Sequence, residues 1–335
     1  MTKTPIRVFS IVYGEDYIRR YCEFALPALL QPGNVPALMR DFDVRLCLYT
    51  TPDSMDTLQS SLAKRLYRHE YGKAIAPLVK IMAITIESDR SVDKNVAQAR
   101  ILANRQLQNA CLFREISASV GLKALTLLCP ADVFTGNGSL INLANAARDS
   151  KVCIASPYLK VDGDRFRKLI AAEKWPIEND RLVTLSIQSL LDYQRGTVRG
   201  GSRHLAYLLG ADMLQVSPRL FGAIFCFPSV VISRFTSADL GFFRLQDDFR
   251  QWDMTWPAKL IAERRFLFLG SSDFAFQVEL RQDSQAGVDA YLKMDDQFRR
   301  DIDPRDLQRY ALHNEAMRNL AVTLRADQDV NLAPL

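Results

Sequence analysis

The feature that most constrains the fold is a set of apolar runs without polar alternation. The stretch "LKALTLLCPAD" (122–132) is apolar at consecutive positions from Ala124 to Cys129, broken only by Thr126. A strand of that kind has to be covered on both faces, as in a parallel sheet flanked by helices. "IRVFSIVYG" (6–14) is a further buried-strand pattern, and "DVRLCLYT" (43–50), "LVKIMAITI" (78–86) and "KVCIASPYL" (151–159) also read as strands. Helical spacing fills the gaps. "EDYIRRYCEFALPALL" places Ile18, Tyr21, Cys22, Phe24, Ala25 and Leu29 on one face and stops at Pro32 and Gly33. "TPDSMDTLQSSLAKRLY" opens with a Thr-Pro-Asp helix start, residues 91–121 read as one long or two consecutive helices, and "GSLINLANAARDS" reads as a helix capped by Ser139. Five strands with helical crossovers predict an α/β fold with a doubly wound, mostly parallel sheet. Its ligand side should lie where the strands end, after Val12, Tyr49, Ile86, Leu128 and Ala155.

Beyond residue 165 the pattern turns mainly helical, through "RFRKLIAAEKWPI", "DRLVTLSIQSLLDYQRG" and "RHLAYLLGADML". "RLFGAIFCFPSVVIS" and "RRFLFLGSSDFAFQVEL" then supply strand-like runs, and Asp303 to Ala326 reads as an amphipathic helix opened by "DPRD". No repeat and no low-complexity linker separates the halves, so the sequence predicts a helical C-terminal elaboration fused to the sheet.

Composition removes several function classes. No apolar run reaches the roughly 18–20 residues of a membrane span, and the N-terminal apolar stretch reads as a strand, so the expectation is a cytoplasmic protein. The six cysteines lie singly in apolar surroundings and read as buried thiols, and three scattered histidines make a His-rich zinc site improbable. Neither GxGxxG, GxxxxGK[ST] nor GxSxG occurs, which argues against dinucleotide oxidoreductases, P-loop enzymes and α/β hydrolases. The net charge is +5, with arginine well in excess of lysine. Guanidinium suits diphosphates, anionic glycans or lipids, and nucleic acid, and such an excess also occurs on ordinary solvated surfaces.

The segments "FSIVYGEDYIRRYCEFALPALLQPGNVPAL", "LYTTPDS" and "CPADVF" resemble a bacterial group of glycosyltransferase-like proteins of the GT-A type, the nucleotide-diphospho-sugar transferase fold. The likeness covers residues 6–160 and weakens beyond 165. It implies a nucleotide-sugar-binding half over 1–160 and an acceptor-side half over 161–335. It also implies a DxD motif at the end of the fourth strand, holding Mn²⁺ or Mg²⁺ against the donor diphosphate. The motif falls on Pro130 and Asp132, so the second acid is present and the first is replaced by proline. Asp132 remains the metal candidate, and it also reads as a turn residue before "GNG". A literal DxD at Asp162 and Asp164 sits in turn-forming company and reads as a β-turn.

On the same resemblance, the donor's base and ribose fall against the first two strand ends. Tyr13 would stack on the base, Glu15 or Asp16 would accept from base or ribose, and Thr50, Thr51 and Asp53 would line the neighbouring edge. Tyr13 also reads as helix-to-sheet packing, and Asp16 as the cap of a helix from Tyr17. Asp273 and Glu279, with Asp247 and Asp248 behind them, are the candidate catalytic carboxylates, and they read too as solvated acids beside a strand. "FCFPSV", with Cys226 and Ser229, stands where the group carries histidines. Arg199 and Arg203, with Arg195 and His204, sit in a Gly-rich basic loop suited to clamping a diphosphate or to an ordinary surface. The resulting expectation is a transferase taking a nucleotide-sugar donor to an unknown acceptor, whether glycan, lipid or nucleic acid. The alternatives are a non-catalytic module with the same cleft and a nucleic-acid-associated protein.

Overall fold

The computed structural model describes residues 3–85, 96–148, 153–190, 211–225, 230–244, 255–281 and 321–330. The first half runs β1 (Thr4–Ile11), α1 (Glu15–Arg20), a π-helical turn (Tyr21–Ala25), α2 (Leu26–Leu29), α3 (Val35–Asp41), β2 (Phe42–Thr50), α4 (Met55–Tyr67), α5 (Gly72–Ile75) and β3 (Val79–Ala83). It continues through α6 (Val96–Leu122), β4 (Leu125–Leu128), β5 (Val133–Thr135), α7 (Ser139–Arg148), β6 (Cys153–Ala155) and β7 (Tyr158–Asp162). The second half supplies α8 (Gly163–Ile170), α9 (Asn179–Gln188), β8 (Ala211–Ser217), β9 (Leu220–Phe225), β10 (Val230–Ser233), α10 (Ser237–Arg244), α11 (Thr255–Ala262), β11 (Phe266–Phe268), β12 (Gln277–Arg281) and β13 (Ala321–Arg325).

Seven strands form the main sheet in the order β11-β6-β10-β4-β1-β2-β3. All neighbouring pairs are parallel except those of β10, which runs antiparallel to both β4 and β6. Burial explains the apolar runs. Ile6, Val8, Phe42, Val44, Leu46, Leu125 and Leu127 pack on one face with α1–α4 and α7, while Phe9, Cys47, Tyr49 and Leu128 pack on the other with α6, α10 and α11. The expected α/β architecture with a mostly parallel sheet is therefore present.

One polar cluster is buried between the second face and α6. The Arg7 guanidinium donates to Glu115 at 2.5 and 2.9 Å, and the Tyr49 hydroxyl donates to the same carboxylate at 3.0 Å. Glu115 is wholly buried, so these bonds replace its water and tie α6 to β1 and β2.

The second core lies between a three-stranded sheet (β5-β12-β7), helices α8 and α9, and a second three-stranded sheet (β13-β9-β8). Position 160 falls inside β7, and elements cross it both ways. β10 and β11 join the main sheet from the second half, and β5 and β7 join the second core from the first.

Three local expectations need correction. The fifth strand is two, because the chain leaves the main sheet at Ser156–Pro157 and enters the small one as β7, where proline's missing N–H suits a change of partner. "ADML" belongs to strand β8, and the end of the expected C-terminal helix is strand β13, so the described second half mixes helices with six strands instead of being mainly helical. β8 forms a hairpin with β9 across Pro218 and Arg219, and β13 joins β9 from far along the chain; in both, strand pairing overrides local helical spacing. Lastly, Asp162 and Asp164 form no free turn: Asp162 caps α8, accepting from the backbone N–H groups of Asp164 and Arg165 at 2.8 Å.

Candidate functional site

From β1 the chain steps outward to β2 and β3, then returns through α6 to β4 on the opposite side of β1. The strand order reverses there, and the connecting helices diverge onto opposite faces, opening a crevice beyond the carboxyl ends of β1 and β4. A cleft of about 170 Å³ occupies that position. Its walls come from the end of β1 (Phe9, Ser10, Ile11), from Tyr17 of α1, from Gln108 and Leu112 of α6, and from Leu128–Asp132 after β4. Ser10 is buried and donates to the Cys129 carbonyl at 2.5 Å, which holds the two strand ends together.

Asp132 stands where the chain passes from β4 into β5. Its carbonyl accepts from the Leu280 N–H at 2.9 Å, which brings β12 alongside. In the small sheet Val133, Glu279 and Lys160 form one row across β5, β12 and β7. Phe134, Val278 and Leu159 form the adjacent row and are buried in the second core, so Glu279 faces the opposite side, with Lys160 at 3.9 Å. Desolvation and then the Glu279 charge push the Asp132 carboxyl up to about 6, against the pull of Arg20 and Lys160. Two acids thus share the site, and one of them binds a proton more readily than an ordinary carboxylate.

Tyr17 lines the cleft with 42% of its surface exposed, and it stacks on Tyr13 with ring centroids 6.1 Å apart. Partial burial, followed by the Asp132 charge, raises its hydroxyl pKa. One turn later, the Arg20 guanidinium carbon sits 5.3 Å from the Tyr17 ring centroid. Arg20 is only 9% exposed, its Nε is sealed from solvent without a hydrogen-bond partner, and it forms no ion pair among the described residues.

The structure brings Asp132 and Glu279 together but separates them from Asp273, which is half exposed and faces Arg325 at 3.4 Å. Tyr13 packs against the α6 side of the sheet, and burial raises its hydroxyl to about 12. Glu15 and Asp16 are exposed in the first turn of α1, where Asp16 pairs with Arg19 at 3.1 Å; the cap position is Gly14 rather than Asp16. The Thr50 side chain is wholly buried, whereas Thr51 and Ser54 join the two strand-end loops. The Thr51 hydroxyl donates to Ser54 Oγ at 3.0 Å, and Ser54 Oγ accepts from the Gly14 N–H at 3.0 Å. Asp53 is exposed beside them. Arg195, Arg199, Arg203, His204, Cys226, Ser229, Asp247 and Asp248 lie outside the described residues.

Tyr17 of the cleft wall and Arg20 beside it escaped sequence reasoning, although the i, i+3 spacing on α1 was a usable signal. The "QPGN" motif proves to be architectural. Gln31 donates to the Thr135 carbonyl at 3.0 Å, Asn34 donates to the Gly136 carbonyl at 3.1 Å, and Asn34 Oδ1 accepts from the Leu140 N–H at 3.1 Å. Gly33 is required because a Cβ there would lie 2.6 Å from the Gly138 nitrogen. This clasp fixes the β5–α7 turn, and Asn34, not Ser139, satisfies an amide in the first turn of α7; Ser139 Oγ donates to Asn179 at 2.8 Å.

A divalent ion at Asp132 can be tested against its donor set. Pro130 offers no ligand, and no three His, Cys, Asp or Glu side chains converge among the described residues. The two acids present already have the cations Arg20 and Lys160 beside them. Magnesium and manganese seek carboxylate and water oxygens in octahedral array, and this donor set does not fit a protein-held site. The chain matches no protein-family model, and no curated protein matches it.

Proposed function

We propose that the cleft takes a nucleotide-diphosphate sugar and that the chain transfers the sugar to an acceptor hydroxyl, with the main sheet serving as a GT-A-type platform. The observation that carries this reading is the coincidence of three features: the crevice at the strand-order reversal, the exposed Tyr17 ring in its wall, and Asp132 in the same wall with the Glu279 charge acting on it. Tyr17 offers a stacking face for the base. Glu279 takes the acceptor's proton as the acceptor oxygen bonds to the anomeric carbon. The bond from that carbon to the diphosphate breaks in the same step, and the nucleoside diphosphate departs. Asp132, held toward its neutral form, limits the negative charge that the departing diphosphate meets.

The test is a thermal-shift panel of UDP-, GDP-, CMP- and dTDP-sugars with and without Mn²⁺, since a ligand that binds only the native state raises the midpoint. Stabilisation by one nucleotide class, with donor turnover lost in Glu279→Gln, supports the reading. No stabilisation by any of them refutes it. Pro130 favours a second reading, a binding module that keeps the cleft without catalysis. Stabilisation without turnover of any donor would select it. A glycan, a lipid and a polynucleotide all remain acceptors to be screened, and salt-sensitive retention on DNA would point to the last.

A further inference from the structure

We propose that Arg20 is the anion-holding residue of this cleft, so that a diphosphate-bearing ligand is bound through its guanidinium without a divalent cation. The inference rests on the reading of the cleft as a donor site and adds to it the means by which the phosphates are held. An arginine this buried, 9% exposed as a residue, normally pairs with a carboxylate, because removing a guanidinium nitrogen's water without replacement is unfavourable. Arg20 does not: Nε is sealed and unpartnered, and no hydrogen bond or ion pair reaches the guanidinium among the described residues. Its position relative to the cleft is set by two wall residues. The guanidinium lies 5.3 Å from the ring of Tyr17, and its charge is felt by Asp132. Both side chains line the same cavity.

Three other cations bound to the sheets are committed. Arg7 is bound by Glu115, Arg265 by Asp239, and Lys160 stands beside Glu279. Arg20 therefore has unused donors in a fork suited to two phosphate oxygens, in a low-dielectric wall where that charge acts strongly. The π-helical turn begins at the next residue, Tyr21. Such turns displace the following side chains from their regular α-helical positions, and they often sit beside functional sites.

Titration calorimetry in EDTA on the full chain, with UDP, GDP and inorganic pyrophosphate as probes, tests this. Wild type should bind pyrophosphate and at least one nucleotide in EDTA. Arg20→Gln should weaken both by about 10- to 100-fold, the worth of a charged bidentate contact, and Arg20→Lys should fall between. The unliganded Arg20→Gln protein should melt within a degree or two of wild type, because the variant loses the contact with Tyr17 but also removes a buried Nε that has no hydrogen bond; a purely structural arginine would predict a clear fall. Nucleotide binding that requires Mn²⁺ and is unchanged in Arg20→Gln overturns this inference and leaves the donor reading intact. Pyrophosphate bound through Arg20 with no nucleotide bound overturns the donor reading and leaves the anion site. Binding of neither probe to the wild type in EDTA refutes the Arg20 site.

Discussion

Replacing Glu115 by alanine should strip the protein of much of its stability. Glu115 is fully buried and accepts two hydrogen bonds from Arg7, at 2.5 and 2.9 Å, and one from Tyr49 at 3.0 Å. Each bond to a charged group is worth about 1.5–3 kcal/mol, and an orphaned buried hydroxyl costs about 1–3 kcal/mol. Water entering the vacated volume and retreat of the Arg7 side chain return part of that sum. The net loss should be the ~3–5 kcal/mol typical of a buried pair broken on one side. Against a total of roughly 5–15 kcal/mol for a folded domain, the variant would lie close to unfolding. Urea titration followed by circular dichroism measures it. The double variant Arg7→Met/Glu115→Leu should recover most of the loss, since a charge pair replaced by apolar groups leaves no ion stranded. A single variant within about 1 kcal/mol of wild type, or a double variant no better than the single, would refute the argument. The site gives a second readout, because α6 also carries Gln108 and Leu112 of the cleft wall, so ligand affinity should fall along with stability.

Asn34→Ala removes bonds to the Ala28 and Gly136 carbonyls and to the Leu140 amide, and should cost about 2–3 kcal/mol in chemical denaturation. Tyr17→Ala should weaken nucleotide binding about tenfold by calorimetry, the worth of one aromatic stacking contact, while Tyr17→Phe keeps the affinity. Acid stability should show the trace of Asp239. Burial alone would raise its carboxyl pKa, but hydrogen bonds from Arg265 and Thr236 outweigh burial and hold it below the ordinary value. Because the folded value is depressed, its contribution is present above the unfolded value of about 4 and is lost as pH falls through the folded one. Between pH 7 and 3, the urea midpoint of the wild type should therefore fall further than that of Asp239→Asn. Equal falls would remove Asp239 from the acid response.

The parallel part of the sheet was legible because burial on both faces leaves continuous apolar runs, and β1, β2 and β4 stand where those runs are. The end of β4 as the ligand edge was likewise readable, since a chain that alternates strand and helix opens at its strand ends. Asp132 could be singled out as an acid where the fourth apolar run ends, and Glu279 as an acid in "GSSDFAFQVEL". Their meeting could not, because it depends on β12 pairing with β5 and β7 across more than a hundred residues of chain. Asp273, six residues before Glu279, was just as plausible in one dimension, and it turns out to face Arg325 instead.

Local patterning by itself determined the layered α/β class, because covering both faces of a strand is recorded in every residue of that strand. Tertiary structure decided where β10 inserts, how the "KVCIASPYL" run divides between two sheets, and that β13 is a strand. It also decided that Arg20 is buried beside Tyr17 and Asp132 with no ion pair among the described residues. Each of these turns on which distant group comes to lie opposite. Propensity carries no such information, because pairing energy depends on the neighbour as much as on the residue itself.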